Sequence, residues 1–181
     1  HQGSYHGEAM KLNENRKATY PTSADCKEKY FTQKIDHFSY YPDELEKNDD
    51  TDEKNKARKS LYGKTYQQRY FVCDQYWDIV DKETGKMGPI FFYTGNEADV
   101  TLYVNATGLM WENAAEFKAN LIFAEHRYYG VSQPFPIKEV NKANLQFLSS
   151  EQALADYASL LTALREEFQL SILHLNSDEN V

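Results

Sequence analysis

The sequence predicts an α/β fold, a mixed sheet with flanking helices, and three observations carry that expectation. Two short apolar runs, 91–93 and 122–124, each empty into a polar cluster with a glycine: Thr94-Gly95-Asn96-Glu97 and Glu125-His126-Arg127-Tyr128-Tyr129-Gly130. A segment of helical spacing separates them, giving a strand–helix–strand unit over 90–124 whose crossover must be right-handed. A longer helical pattern follows over 149–168. In open α/β sheets, binding and chemistry gather outside the carboxyl ends of the strands. Two adjacent strand ends are thus furnished for a site.

The elements follow in order. Residues 1–28 lack hydrophobic periodicity and read as an irregular N-terminal segment. From Tyr30 to Phe38, Phe31, Ile35 and Phe38 alternate roughly with polar neighbours, as in an edge strand. Residues 40–60 are dense in Asp, Glu, Lys and Asn, and read as a charged loop insertion, disordered at its centre. A second strand, Gln68-Arg69-Tyr70-Phe71-Val72, lies within 65–77, and Gly88-Pro89 opens a third, Ile90 to Tyr93. These first strands suit an antiparallel start to the sheet. Leu109 to Ala119 is a short amphipathic helix with Leu109, Met110, Ala114 and Phe117 on one side. Leu121 to Ala124 is a continuous apolar run, expected of a buried parallel strand.

Ser149 to Phe168 is the clearest helix, with Leu154, Tyr157, Leu160, Leu161, Leu164 and Phe168 at helical spacing. Ser149 and Gln152 suggest a capping box at its start. Leu170 to Leu175 reads as one more strand. This order of elements describes the first half of an α/β-hydrolase sheet, an incomplete domain over 29–181.

Composition narrows the function. The formal net charge of −8 argues against a nucleic-acid binder, which carries a basic stripe. The one basic cluster, at 54–59, follows an acidic run and reads as part of a solvated, self-neutralising loop. No run approaches the roughly 18 apolar residues of a membrane span. The start at His1 reads as a processed chain or a fragment. Two cysteines make neither a disulfide scaffold nor a zinc site, and no cofactor or metal is expected. Cys73, within an apolar run, is either a small buried thiol or the partner of Cys26 in a disulfide. Asn105-Ala106-Thr107 is a glycosylation sequon, meaningful in a secretory compartment.

The clusters at the strand ends suggest specific chemistry. An acyl-transfer enzyme stabilises a developing oxyanion with preorganised N–H donors. In α/β hydrolases one donor comes from the loop after the third strand. Gly95-Asn96 stands where such a loop belongs; Asn96 offers its backbone N–H, and Glu97 either holds a substrate amine or braces the loop. The alternative is a plain strand-to-helix turn. In the second cluster, a histidine packed at a strand end is more often structural than catalytic, so His126 reads as bracing. Arg127, with its planar fork, suits fixing carboxylates and carbonyls on neighbouring loops, and Glu125 and Tyr128 join it there. A Glu125–Arg127 pairing is not implied. Gly130-Val131-Ser132-Gln133-Pro134 has Pro where a nucleophile elbow needs glycine, and Gly3-Ser4-Tyr5-His6-Gly7 has no preceding strand. Neither supplies a nucleophile.

Several segments together resemble one family: Tyr30 to Phe38, Gln68-Arg69-Tyr70, Phe92 to Glu97, Asn105 to Trp111, Ala124 to Gly130 and Ser150 to Asp156. It is the serine peptidase family of lysosomal Pro-Xaa carboxypeptidase and dipeptidyl peptidase II, matched in order from about Tyr30 to about Phe168. The resemblance implies an α/β-hydrolase domain with an inserted helical cap and a Ser–Asp–His triad. It implies cleavage of peptide substrates beside proline, near a chain terminus, in a lysosomal or secreted setting. A homodimer of the full-length enzyme is allowed.

The departures from that pattern matter. The family's helix leads into a strand and a Gly-x-Ser-x-Gly elbow, whereas the divergent tail over 169–181 offers a strand-like replacement at 169–176 and no elbow. The triad order places all three members downstream, so none is carried over. Ala98 stands where glycine is usual, and the 40–60 loop is longer than usual. The expectation is the N-terminal portion of a proline-directed serine exopeptidase, inactive and poorly soluble alone. The rivals are a truncated or spliced product acting as a binding partner, and an esterase-type α/β hydrolase.

Overall fold

The structure, a computed structural model, describes residues 20–38, 63–81 and 85–178. The charged stretch at 40–60, the Gly3 to Gly7 motif and residues 179–181 lie outside the described residues. Four strands, β1 (Lys27–Lys34), β2 (Thr65–Cys73), β3 (Ile90–Thr94) and β4 (Asn120–Ala124), form one mixed sheet in the order β1-β2-β4-β3. Three α-helices flank it: α1 (Thr101–Ala106), α2 (Gly108–Phe117) and α3 (Ser150–Asp178).

β1 pairs antiparallel with β2, β2 antiparallel with β4, and β3 parallel with β4. Parallel neighbours need a crossover, and α1 and α2 provide it. That crossover returns the chain as β4 between β2 and β3. The expected antiparallel start is therefore confined to β1 and β2, and β3 lies one place further out.

Register decides what meets what. β3 and β4 are paired from Ile90↔Asn120 to Thr94↔Ala124, so their carboxyl ends stop level. β2 runs the other way with Tyr70 opposite Ala124, so its amino half, from Thr65 to Arg69, projects past β4 at the same edge. β1 brings Gln33 there as well, opposite Tyr66. One edge thus collects residues far apart in the chain.

Side chains of successive strand residues face opposite ways, and two cores result. On one face Tyr70, Val72, Ile122 and Ala124 pack against Ala153, Tyr157, Leu160 and Leu164 of α3. On the other, Phe71, Leu121 and Phe123 meet Val100, Val104, Trp111 and Ala114 of the crossover. β4 is buried throughout because both faces are covered.

Several expectations are corrected. The first strand begins at Lys27 and ends at Lys34, and Phe38 is exposed beyond an Asp36 side-chain turn. Residues 20–28 are docked on the domain, through Tyr20 to Glu112 and the Ser23 N–H to Asn105, rather than irregular. The helix near 109 buries Trp111 and Ala114; Leu109 and Phe117 point outward. A further helix, α1, precedes it, and Lys118 in the left-handed region ends α2. The strand expected at 170–175 is the continuation of α3, since 150–178 contains neither glycine nor proline to stop a helix. Leu154 is exposed, and the buried stripe of α3 instead includes Gln152 and Asp156. Only half of the capping box forms. Ser149 Oγ accepts the Gln152 N–H, while the Gln152 side chain donates to Asp36 and accepts from the His37 N–H.

Candidate functional site

Two buried ion-pair clusters sit at the edge where β1, β3 and β4 end and β2 begins. The first centres on Glu125, fully buried just past β4. Its Oε1 accepts from Arg69 Nη2 at 2.6 Å and from the Val100 N–H at 3.2 Å. Its Oε2 accepts from the Val131 and Ser132 N–H groups, both at 3.0 Å, and from Ser132 Oγ at 2.7 Å. Arg69 Nη2 also donates to Asp99 Oδ1 at 2.8 Å. One carboxylate therefore joins β2, the amino end of α1 and the turn at 130–132. Gly130 makes room for it: its φ is +53°, and an added Cβ would lie 1.8 Å from Glu125 Oε1.

The second cluster centres on Arg127. Its Nε and Nη2 donate to the two carboxylate oxygens of Asp156 at 2.7 and 2.8 Å. Nη1 donates to the Ile35 and Phe147 carbonyls, both at 2.9 Å, and Nη2 also to Lys34 O at 3.2 Å. All five guanidinium N–H groups are thereby used, as a buried arginine requires. Asp156 also accepts from Tyr66 OH and pairs with His37 Nε2, both at 2.7 Å. Burial pushes its carboxyl upward, but the hydrogen bonds from Arg127 and His37 and the arginine charge outweigh this and hold it below the ordinary value of 3.8. A chain of amides joins the clusters. Gln33 Nε2 donates to Asp156 O at 2.6 Å and to Gln68 Oε1 at 2.9 Å, and Gln68 Nε2 donates to Glu125 O at 2.7 Å.

The loop after β3 is held differently. The Gly95 N–H donates to Ala124 O at 2.8 Å, and Gly95 O accepts from Tyr157 OH at 2.9 Å. A Cβ at Gly95 would lie 2.4 Å from Ala124 O, so only glycine allows this close approach. Asn96 and Glu97 are exposed; Asn96 Nδ2 donates to Tyr93 OH at 3.1 Å, and Glu97 interacts with Tyr129.

The remaining candidates fall into place around these clusters. His126 Nδ1 is 2.7 Å from Arg127 O, and its ring packs edge-on to Tyr129 and Tyr157. Tyr128, at φ 69°, donates its hydroxyl to Asn144 O, and burial raises its phenol to about 12. Ser132 is committed to Glu125 and to the Arg69 N–H, which agrees with its failure as an elbow. Asn105 is exposed, with Oδ1 accepting the Ser23 N–H at 2.8 Å. Cys26 and Cys73 form a disulfide with Cα atoms 4.5 Å apart, so Cys73 is not a thiol. Among the described residues, no group of His, Cys, Asp and Glu could hold a metal, and no helix is long and apolar enough to cross a membrane.

Sequence reasoning missed Arg69, Asp99 and Asp156, and the glutamines Gln33, Gln68 and Gln152. Asp156 carried a signal, a charge on the stripe Ala153, Asp156, Tyr157, Leu160 at helical spacing. Arg69 carried another, a cation inside the apolar half of β2.

The profile of the serine carboxypeptidase S28 family matches residues 58–173, nearly two thirds of the chain. The chain belongs to this family. This S28 chain is 44% identical over 153 residues to the human lysosomal Pro-X carboxypeptidase, covering 81% of itself and 26% of that protein. It is 56% identical over 81 residues to the Caenorhabditis elegans putative serine protease pcp-1, covering 44% of itself and 14% of that protein. Against the Bipolaris victoriae serine protease vicPb it is 34% identical over 110 residues, covering 59% of itself and 19% of that protein. It spans about a quarter of the length of the Pro-X carboxypeptidases it matches. S28 peptidases are α/β hydrolases, and the mixed sheet with flanking helices is part of that architecture.

Proposed function

We propose that this chain forms the supporting wall of the active site in a serine-type exopeptidase that cleaves peptides beside proline. One observation carries the reading. The loop leaving β3 is clamped at the Gly95 N–H and C=O and carries the exposed residue Asn96 next to an ion-paired neighbour. A developing oxyanion needs such preorganised donors. The Asn96 N–H serves as one of them, and Glu97 meets a substrate amine. Glu125, His126, Arg127 and Tyr128 hold the wall in place. Attack on the peptide carbonyl falls to a serine activated by histidine, supplied outside the described residues. The Pro-X carboxypeptidase relatives, lysosomal by name, favour release of a residue after proline, in a lysosome. The Cys26–Cys73 disulfide and a glycan on exposed Asn105 suit the secretory route to that compartment.

The test uses the full-length protein carrying this segment, assayed on peptides ending in Pro-Xaa, with and without a serine-directed phosphonate. Phosphonate-sensitive release of the last residue is expected; release no faster than the buffer blank overturns the reading. Glu97→Gln should raise KM for short substrates with a free amino end and leave their acetylated forms unchanged. An equal rise for both removes Glu97 from that role.

A further inference from the structure

We propose that Tyr157 is a positioning residue that aims the Asn96 N–H at the substrate carbonyl, an inference that rests on the peptidase reading above. Gly95 must be glycine because β4 passes too close for a Cβ. That requirement has a drawback: glycine leaves the next peptide plane the freest to rotate. The Gly95 N–H is fixed by Ala124 O, but that bond does not set the plane that begins at the Gly95 carbonyl. The Tyr157 hydroxyl sets it, by donating to Gly95 O at 2.9 Å in a buried position.

The peptide between Gly95 and Asn96 is trans, as is every peptide among the described residues. In a trans peptide the C=O and N–H point in opposite directions. Drawing the Gly95 oxygen toward α3 therefore turns the Asn96 N–H away from α3, toward the exposed side of the loop. A hydrogen bond accepted at the carbonyl also polarises the same peptide and strengthens its N–H as a donor. The Tyr157 ring is itself held, edge-on to Phe92 at 5.9 Å and to His126 at 6.5 Å. Burial raises its phenol well above the ordinary tyrosine value, so it stays a neutral O–H donor. Its neighbour Asp156 holds Arg127, so consecutive residues of one helix secure both strand ends.

Tyr157→Phe in the full-length protein removes the hydroxyl and keeps the ring. The expected result is a roughly fivefold fall in kcat with KM little changed, as the loss of one neutral hydrogen bond predicts. Affinity for a peptide boronic acid, which mimics the tetrahedral intermediate, should fall in parallel. Tyr70→Phe is the control; Tyr70 is buried in the same apolar cluster but has no hydrogen bond to the loop. Hydrogen exchange at the buried, hydrogen-bonded Gly95 amide, read in the resting protein, should quicken in Tyr157→Phe and not in Tyr70→Phe. Unchanged kcat and inhibitor affinity in an active protein overturn the inference, as does an equal loss in Tyr70→Phe. If the wild-type protein hydrolyses no peptide, the peptidase reading fails, and unchanged amide exchange would then overturn the positioning role separately.

Discussion

The ends of β3 and β4 stop level, side by side, yet they are secured by opposite means. Past β4, charge does the holding: Glu125 with Arg69, and Arg127 with Asp156, each inside a cage of donors and acceptors. Past β3, Gly95 is held by a close backbone approach and by the Tyr157 phenol. A buried ion pair needs many partners and tolerates little displacement. The loop after β3 carries no buried ion pair, and its exposed Asn96 and Glu97 can meet a ligand without breaking the Gly95 contacts. The pair illustrates a division of labour, one end rigid and closed, its neighbour fixed in direction but open to solvent.

The sharpest way to break the comparison is to remove one charge. Asp156→Ala leaves Arg127 buried and unpaired, and should destabilise the protein by about 3–5 kcal/mol; urea denaturation measures this, and a loss below about 1 kcal/mol would mean the β4 end is not held by charge. Gly95→Ala acts at the other end. Its Cβ would press on Ala124 O, so a loss of about 1–3 kcal/mol is expected, as for overpacking. If the variant keeps wild-type stability in the same urea titration, the close approach does not hold the loop.

Acid separates the two ends. The folded Asp156 carboxyl lies below its ordinary value of 3.8, so its stabilisation is fully present above that value and is lost as pH falls through the folded one. The stability gap between wild type and Asp156→Asn should therefore narrow below about pH 4. A gap that is flat with pH would contradict the assignment. Gly95→Ala should show no such dependence, because nothing at Gly95 titrates. The smallest effect is that of Tyr157→Phe on global stability, about 1 kcal/mol. A loss as large as that of Asp156→Ala would show that the phenol supports the core rather than one loop.

Local pattern made part of this legible. The apolar runs at 90–93 and 121–124 announced themselves because they are continuous, and the helix starting near 150 because most of its apolar residues keep helical spacing. The strand-end clusters were visible as polar residues directly after apolar ones. What stayed hidden depends on register. Arg69 meets Glu125 only because β2 runs antiparallel past the end of β4, and Cys26 reaches Cys73 only because Lys27 pairs with Val72. Asp156 was obscured because a charge on an apolar stripe looks like a break in the pattern until its arginine is known. Leu170 to Leu175 misled because alternation over six residues does not distinguish a strand from a helix that continues.

Gly130 occupies the space in which a carboxylate lives. In a scan of every substitution it would rank with the catalytic positions, since even a methyl group collides with Glu125 and loosens a turn, a strand and a helix start together. Yet it carries no functional group at all. Intolerance at such a position records a vacancy that another residue fills, so a map of essential sites in this family must be read for occupied space as well as for chemistry.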